Sequence, residues 1–275
     1  SPSISPLPKL INNPAATELY SAASRKFTGI PSLAVTRQGR LWAVWYAGIT
    51  PAEDMNNYVV VATSGDKGKT WEEVLAIDPD GPGPVKAFDA QVWIDPEGNL
   101  TVFWSQRSIH EEASALFSMT ASDADANNPS WSEPRLLTEG IMMNKPVVLS
   151  GGEWILPVST HKKSDSIKTV VSTDRGQTWA VRSSVNVPEE VRVPDEPMIV
   201  ERKDGSLWML VRTRYGIGQT FSTDKGRSWS PLEPSKTQHT PSRFFISRLA
   251  SGNLLLVKHG PIDTKAGRSH LMAFV

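Results

Sequence analysis

The sequence predicts an all-β chain built from repeated four-stranded sheets, and three observations carry that expectation. The stretch STDRGQTW (172–179) returns as STDKGRSW (222–229) and, with one change, as SGDKGKTW (64–71). A second motif, Gly followed by a β-rich apolar run, recurs in phase with it. Its copies are GRLWAVWYA (39–47), GNLTVFWSQ (98–106), GEWILPVST (152–160), GSLWMLVRT (205–213) and GNLLLVKHG (252–260). Helical periodicity is almost absent, and 21 prolines would interrupt long helices.

Each element follows from local chemistry. In the eight-residue boxes Asp stands two residues before Gly and Trp three after it. Asp bonds back to nearby N–H groups and Gly accepts the backbone a tight reversal needs, so each box reads as a turn. The Trp is expected to drop into the core at the start of the next strand. A decayed copy, SDADANNPSW (122–131), puts the closing tryptophans at 71, 131, 179 and 229, with gaps of 60, 48 and 50 residues. A period near 50 marks repeated supersecondary units. Each Gly-led strand is preceded by a shorter one (IPSLAVT, DAQVWID, KPVVLSG, EPMIVER, RFFISRL). The unit is therefore strand, tight turn, strand, loop, strand, box turn, strand. Four-stranded units repeated around an axis make a β-propeller. Five units are visible, the last incomplete. The division expected is an N-terminal segment, 1–25, that closes the ring, followed by the propeller domain, 26–275.

Bulk composition narrows the partners. Lys plus Arg and Asp plus Glu number 29 each, which argues against a nucleic-acid surface. No apolar run approaches the ~20 residues of a membrane helix, so no membrane span is expected. There is no cysteine, hence no disulfide framework and no thiolate metal site. The start, SPSISPLPKL, lacks the basic and apolar regions of a signal peptide.

Repeat phase says which residues meet. The innermost strand of each unit starts on the face to which the second strand returns. Ile30, Asp89, Lys145, Glu196 and Arg243 stand at the strand starts, and Tyr46, Ser105, Ser159, Arg212 and His259 stand seven residues past each hairpin glycine. Four of the first five are charged within apolar frames, which suits a polar pocket for an anionic or polyhydroxylated ligand. Arg supplies planar carboxylate recognition, and a carboxylate among cations has a pKa set by its surroundings. Ion pairs that merely close a channel are the structural alternative. The box aspartates are assigned to scaffolding. His110, His161 and His270 are read as loop or surface residues, whereas His239, just before the Arg243 strand, is a pocket candidate.

The boxes together with IMMNKPVVLSGGEWILPV, DGSLWMLVRT and RFFISRLASGNLLLVKHG resemble the sialidase (neuraminidase) superfamily, and within it the bacterial neuraminidase-repeat, exo-sialidase-like proteins. That resemblance covers nearly the whole chain. It implies a six-bladed propeller and an exo-glycosidase acting on a terminal acidic sugar, sialic-acid-like or uronic. Such enzymes clamp a carboxylate with three arginines, pair a Tyr nucleophile with a Glu, and use an Asp as acid/base, outside the two-carboxylate scheme. By resemblance Asp54, with Glu53 beside it, is the acid/base and Glu196 the base or nucleophile partner. Arg212, Arg268 and Arg243 bind the anion, and Asp89 and Lys145 orient the ring, with no metal and no cofactor. A glycan is the implied partner and a secreted or periplasmic location is implied. The chain departs from the pattern in two places. Gly29-Ile30-Pro31 stands where the first arginine of an Arg-Ile-Pro motif belongs, and the nucleophilic Tyr of the final blade would lie beyond Val275. Two further readings follow: a carbohydrate-binding propeller without turnover, and a polysaccharide lyase with Tyr46 or His239 as base.

Overall fold

The computed structural model describes residues 6–161, 164–260 and 267–275. The chain divides into two compact units, Ser1–Met143 and Asn144–Val275. Regular structure among the described residues is β, apart from three short 3-10 turns.

The first unit holds two sheets. One contains β1 (Lys9–Asn12), β2 (Phe27–Val35), β3 (Leu41–Gly48), β4 (Tyr58–Ser64) and β5 (Glu72–Asp78), in the order β1-β5-β4-β3-β2. The other contains β6 (Val85–Ile94), β7 (Leu100–Ser108), β8 (Ala115–Ala121) and β9 (Arg135–Glu139), in chain order. The N-terminal strand β1 pairs antiparallel with β5, Lys9 opposite Asp78, and so widens the first sheet on its outer edge. Residues from both sheets form one core, with Trp42, Val59, Val92, Trp104 and Phe117 all excluded from solvent. β4 is buried along its whole length, which is why YVVVATS reads as a continuous apolar run rather than an alternation.

The second unit holds three sheets, each again in chain order. They are β10 (Val147–Val148) to β13 (Ala180–Val185), β14 (Met198–Glu201) to β17 (Glu233–Pro234), and β18 (Phe245–Arg248) to β20 (Leu271–Phe274). Between these ends lie β11 (Trp154–Ser159), β12 (Ile167–Ser172), β15 (Leu207–Thr213), β16 (Gly216–Ser222) and β19 (Leu254–His259). Ile155, Ile167, Leu207, Met209 and Val211 form one core cluster, and Met198, Leu210, Phe244 and Ile246 another.

Every sheet starts with the same hairpin. Gly39, Gly98, Gly152, Gly205 and Gly252 all sit at φ between 82° and 92°, which L side chains rarely adopt. The inner strands share a second irregularity at the predicted strand starts. The β2–β3 register shifts between Gly29 and Ser32, and the β6–β7 register between Phe88 and Gln91. Asp89 and Glu196 hold left-handed backbones at φ 48° and 44°.

The box turns are self-contained. Asp66 accepts the Thr70 N–H (2.9 Å), the Thr70 hydroxyl (2.6 Å) and the Ser64 hydroxyl (2.8 Å), and Ser64 accepts the Gly68 N–H (2.9 Å). Asp174 and Asp224 repeat the pattern. The closing tryptophans reach the core unevenly: Trp131 and Trp229 pack against the core clusters of their units, whereas Trp71 stays outside. Trp71 is 45% exposed, its indole N–H donates to Gly68 O at 3.2 Å, and Trp131, Trp179 and Trp229 are only half-buried. The Trp71 indole folds back over its own turn, and the buried tryptophans are Trp42, Trp104 and Trp154, all inside strands.

The Thr70 bonds come first among the groups that hold the Asp66 carboxyl down, from 3.8 to about 2, and the Thr178 bonds do the same for Asp174. A depressed acid contributes stability that is present above its unfolded pKa of 3.8 and is lost as the pH falls through about 2. Asp66→Ala and Asp174→Ala are expected to lower the melting temperature and flatten its decline in that acid window, with glycan affinity unchanged. An unchanged melting temperature with binding abolished contradicts the scaffolding role.

Candidate functional site

In the second unit the chain enters β14 through Asp195, Glu196 and Pro197. The left-handed backbone of Glu196 turns its side chain to Arg212, near the end of β15, where Arg212 Nη1 donates to Glu196 Oε1 at 2.9 Å. The two lie sixteen residues apart in sequence and the antiparallel hairpin brings them together. The Arg212 N–H donates to Asp195 O at 2.9 Å, which fixes the approach to β14 against β15. Asp195 is fully buried and its Oδ2 accepts from Ser159 Oγ, on β11, at 2.9 Å. Asn144, 3% exposed, donates from Nδ2 to Glu196 O (3.1 Å) and Pro197 O (2.8 Å).

Electrostatics make Glu196 an adjustable acid. Burial pushes its carboxyl above the usual range, while the charges of Arg212, Arg243 and Arg268 and the Arg212 hydrogen bond pull it back. Glu196 Oε2 and Arg212 Nε are buried without a hydrogen-bond partner among the described residues. Arg243, just before β18, donates to Asn144 Oδ1 at 3.4 Å. Lys145 follows Asn144 directly; burial first, and then the Arg243 charge, bring its ammonium down to about 8. Arg268 is exposed on the turn before β20, and its charge reaches Glu196. The structure thus gathers Lys145, Glu196, Arg212, Arg243 and Arg268 in one neighbourhood of the second unit. A carboxylate-bearing ligand placed there meets guanidinium donors and a carboxyl able to exchange a proton.

His239 belongs to the packing of this unit. Its Nε2 faces Ser242 O (3.1 Å) and Ser242 Oγ (3.2 Å), its Nδ1 faces His259 O (3.4 Å), and its ring stacks on His259. Burial holds its pKa below the usual imidazole value, and its two nitrogens tie the loop at Ser242 to the end of β19 at His259.

The remaining candidates lie in the first unit. Asp54 sits in the loop joining β3 to β4. Its carboxylate accepts the Thr50 hydroxyl and the Asn56 N–H (2.9 Å), while its own N–H donates to Asn57 Oδ1 (2.8 Å). It therefore shapes its own turn, whereas neighbouring Glu53 is exposed and bonds Lys86 Nζ at 3.1 Å. Lys86 is itself 6% exposed and lies 4.0 Å from the Phe88 ring centroid. Asp89 is buried within the bulge of β6. Tyr46 is 1% exposed, with its ring against Gly29: an ideal Cβ at position 29 would lie 2.4 Å from the Tyr46 Cζ.

Sequence reasoning missed Asn144 and Asp195, the latter the partner of Ser159. The adjacency of Asn144 to Lys145 and of Asp195 to Glu196 was the available signal, since residues flanking a functional strand start share its buried environment.

A family model described as BNR repeat-like domain matches residues 90–275. A search of curated proteins gave no match. Among solved structures, the chain is similar to a protein of unknown function from Dyadobacter fermentans, at 17% identity and TM-score 0.67, covering 92% of this chain and 78% of that one. It is similar to the NanB sialidase of Streptococcus pneumoniae, at 14% identity and TM-score 0.65, covering 92% of this chain but only 58% of the sialidase chain. It is also similar to an α-L-arabinanase of Penicillium chrysogenum, at 17% identity and TM-score 0.58, covering 90% and 80%. The fold is a β-propeller of the sialidase type.

Proposed function

The chain belongs to the BNR repeat-like domain family, and on that premise we propose that it is a sialidase-like glycoside hydrolase acting on a terminal acidic sugar of a glycan. The observation that carries the reading is the buried Glu196 carboxyl, raised by burial and opposed by three arginines, with one oxygen on Arg212 and the other without a partner among the described residues. Arg212, Arg243 and Arg268 bind the sugar carboxylate and Lys145 orients the ring. Glu196 takes a proton from the attacking water, and the leaving oxygen takes its proton from solvent. The scheme uses no metal and no cofactor. A glycan substrate suits a secreted or periplasmic protein.

Gly29 directs the choice of acid. The Tyr46 ring fills the space a side chain at 29 would need, so the first sheet offers no arginine there. Arg243 comes from a different strand start and re-aims the site toward a differently placed anion such as a uronate. A sialic-acid carboxylate therefore keeps only Arg212 and Arg268 of a three-arginine clamp and loses a charge-assisted contact of about 1.5–3 kcal/mol, or roughly one to two orders of magnitude in affinity. A methylumbelliferyl sialoside is therefore expected to be cleaved weakly or not at all, and a methylumbelliferyl uronide faster. Brisk sialoside cleavage contradicts the assignment of the first sheet.

The same glycine favours, as second reading, a carbohydrate-binding propeller without turnover; glycan-array binding with no cleavage of any reporter would establish it. The lyase reading is weaker, because His239 commits Nε2 to Ser242 and Nδ1 to His259 O, and Tyr46 is packed on Gly29.

A further inference from the structure

We propose that Asn144 is a positioning residue that holds the Glu196 carboxyl and the Arg243 guanidinium in register with one another. The proposal rests on the reading of Glu196 as the acid–base group.

The amide uses both of its ends. Nδ2 donates to two consecutive carbonyls, Glu196 O at 3.1 Å and Pro197 O at 2.8 Å, while Oδ1 accepts from Arg243 Nη2 at 3.4 Å. Two donors on one side and an acceptor on the other are what a carboxamide supplies; a carboxylate has no donor and a hydroxyl has only one. The site needs this clamp because Glu196 is a non-glycine residue at φ 44° followed by a proline. That backbone region is sparsely populated and persists only where the surroundings over-determine it. The Arg212 N–H on Asp195 O and the Ser159 hydroxyl on Asp195 Oδ2 hold the preceding residue, and Asn144 holds Glu196 itself. Asn144 and Lys145 also line a cavity of about 370 Å³ that runs along β10, β14 and β18.

Removing the amide has two linked effects. The strand start relaxes and water reaches the carboxyl, which weakens the burial that raises Glu196; the guanidinium groups of Arg212, Arg243 and Arg268 then dominate its titration. At the same time Arg243 loses the Asn144 oxygen as an acceptor.

The test uses the whole chain with carboxyl-labelled glutamate. The Glu196 titration is followed by NMR, assigned with Glu196→Gln, and D-glucuronate binding is measured by calorimetry. Asn144→Ala is expected to lower the Glu196 midpoint toward or below the ordinary Glu range and to weaken glucuronate about ten-fold, the loss of one hydrogen bond to a charged group. Asn144→Ser, which keeps one hydroxyl, is expected to move both readouts the same way by less, and serves if the alanine variant does not fold. A folded variant with an unchanged Glu196 midpoint overturns the proposal, whatever glucuronate does. A moved midpoint with unchanged glucuronate affinity overturns the joint role. If the wild type binds no glucuronate, the reading of the anion site fails, and the titration alone decides whether Asn144 holds Glu196.

Discussion

Glu196→Gln is expected to lower turnover of an acidic-sugar reporter by about 10²–10⁴-fold, the range typical of a positioned acid or base, while leaving the protein folded. The carboxamide keeps an oxygen for the Arg212 Nη1 bond and cannot exchange a proton. Its stability should hold or rise at neutral pH. The folded-state pKa of Glu196 is raised above 4.5, with burial the largest cause. A raised acid contributes stability that is present below 4.5 and lost as the pH climbs through its folded value. Glutamine removes that loss. Melting curves of wild type and variant from acidic to neutral pH, beside initial rates, check both halves. A variant that retains wild-type turnover removes Glu196 from the chemistry.

Gly29→Arg is expected to destabilise the protein and to restore no sialidase activity. The new Cβ would lie 2.4 Å from Cζ and 2.7 Å from both Cε atoms of Tyr46. The ring cannot simply swing away, since Tyr46 is 1% exposed and rests on Phe27 at 5.5 Å between centroids. Overpacking of this kind costs about 1–3 kcal/mol, and a bulky side chain reaches the upper end. Urea unfolding of Gly29→Arg, Tyr46→Ala and the double variant separates clash from charge. The double variant should be more stable than the sum of the single effects, because the smaller residue at 46 vacates the volume the arginine needs. Additive effects would show that the two positions do not compete for space.

Much of the fold was legible because its signals are short-range. A hairpin glycine and a strand of fixed length place the residue seven positions on at the rim, and an Asp–x–Gly turn builds itself from neighbours two and four residues apart. The same regularity brought Glu196 to Arg212, since an antiparallel hairpin converts a spacing of sixteen residues into a contact. The tryptophans show the limit of such reasoning. Their spacing marked the repeat, yet burial depends on which neighbouring surfaces are available, and Trp71 lies over its own turn at 45% exposure.

The sequence by itself determined the all-β repeat, its phase, and the cationic strand starts that surround Glu196. Only the tertiary structure decided how those groups are held. Asn144 reaches Glu196 across 52 residues and Arg243 across 99, and Ser159 reaches Asp195 across 36. The repeat phase puts these positions about one and two periods apart, but it does not say which side chains bond, and Asn or Ser beside a strand start looks like any loop residue until neighbouring sheets pack. Tyr46 lying on Gly29 has the same origin, whereas Asp54 is held within its own loop by partners two to four residues away. Local chemistry sets where a side chain starts, while packing between distant segments sets which partner it meets.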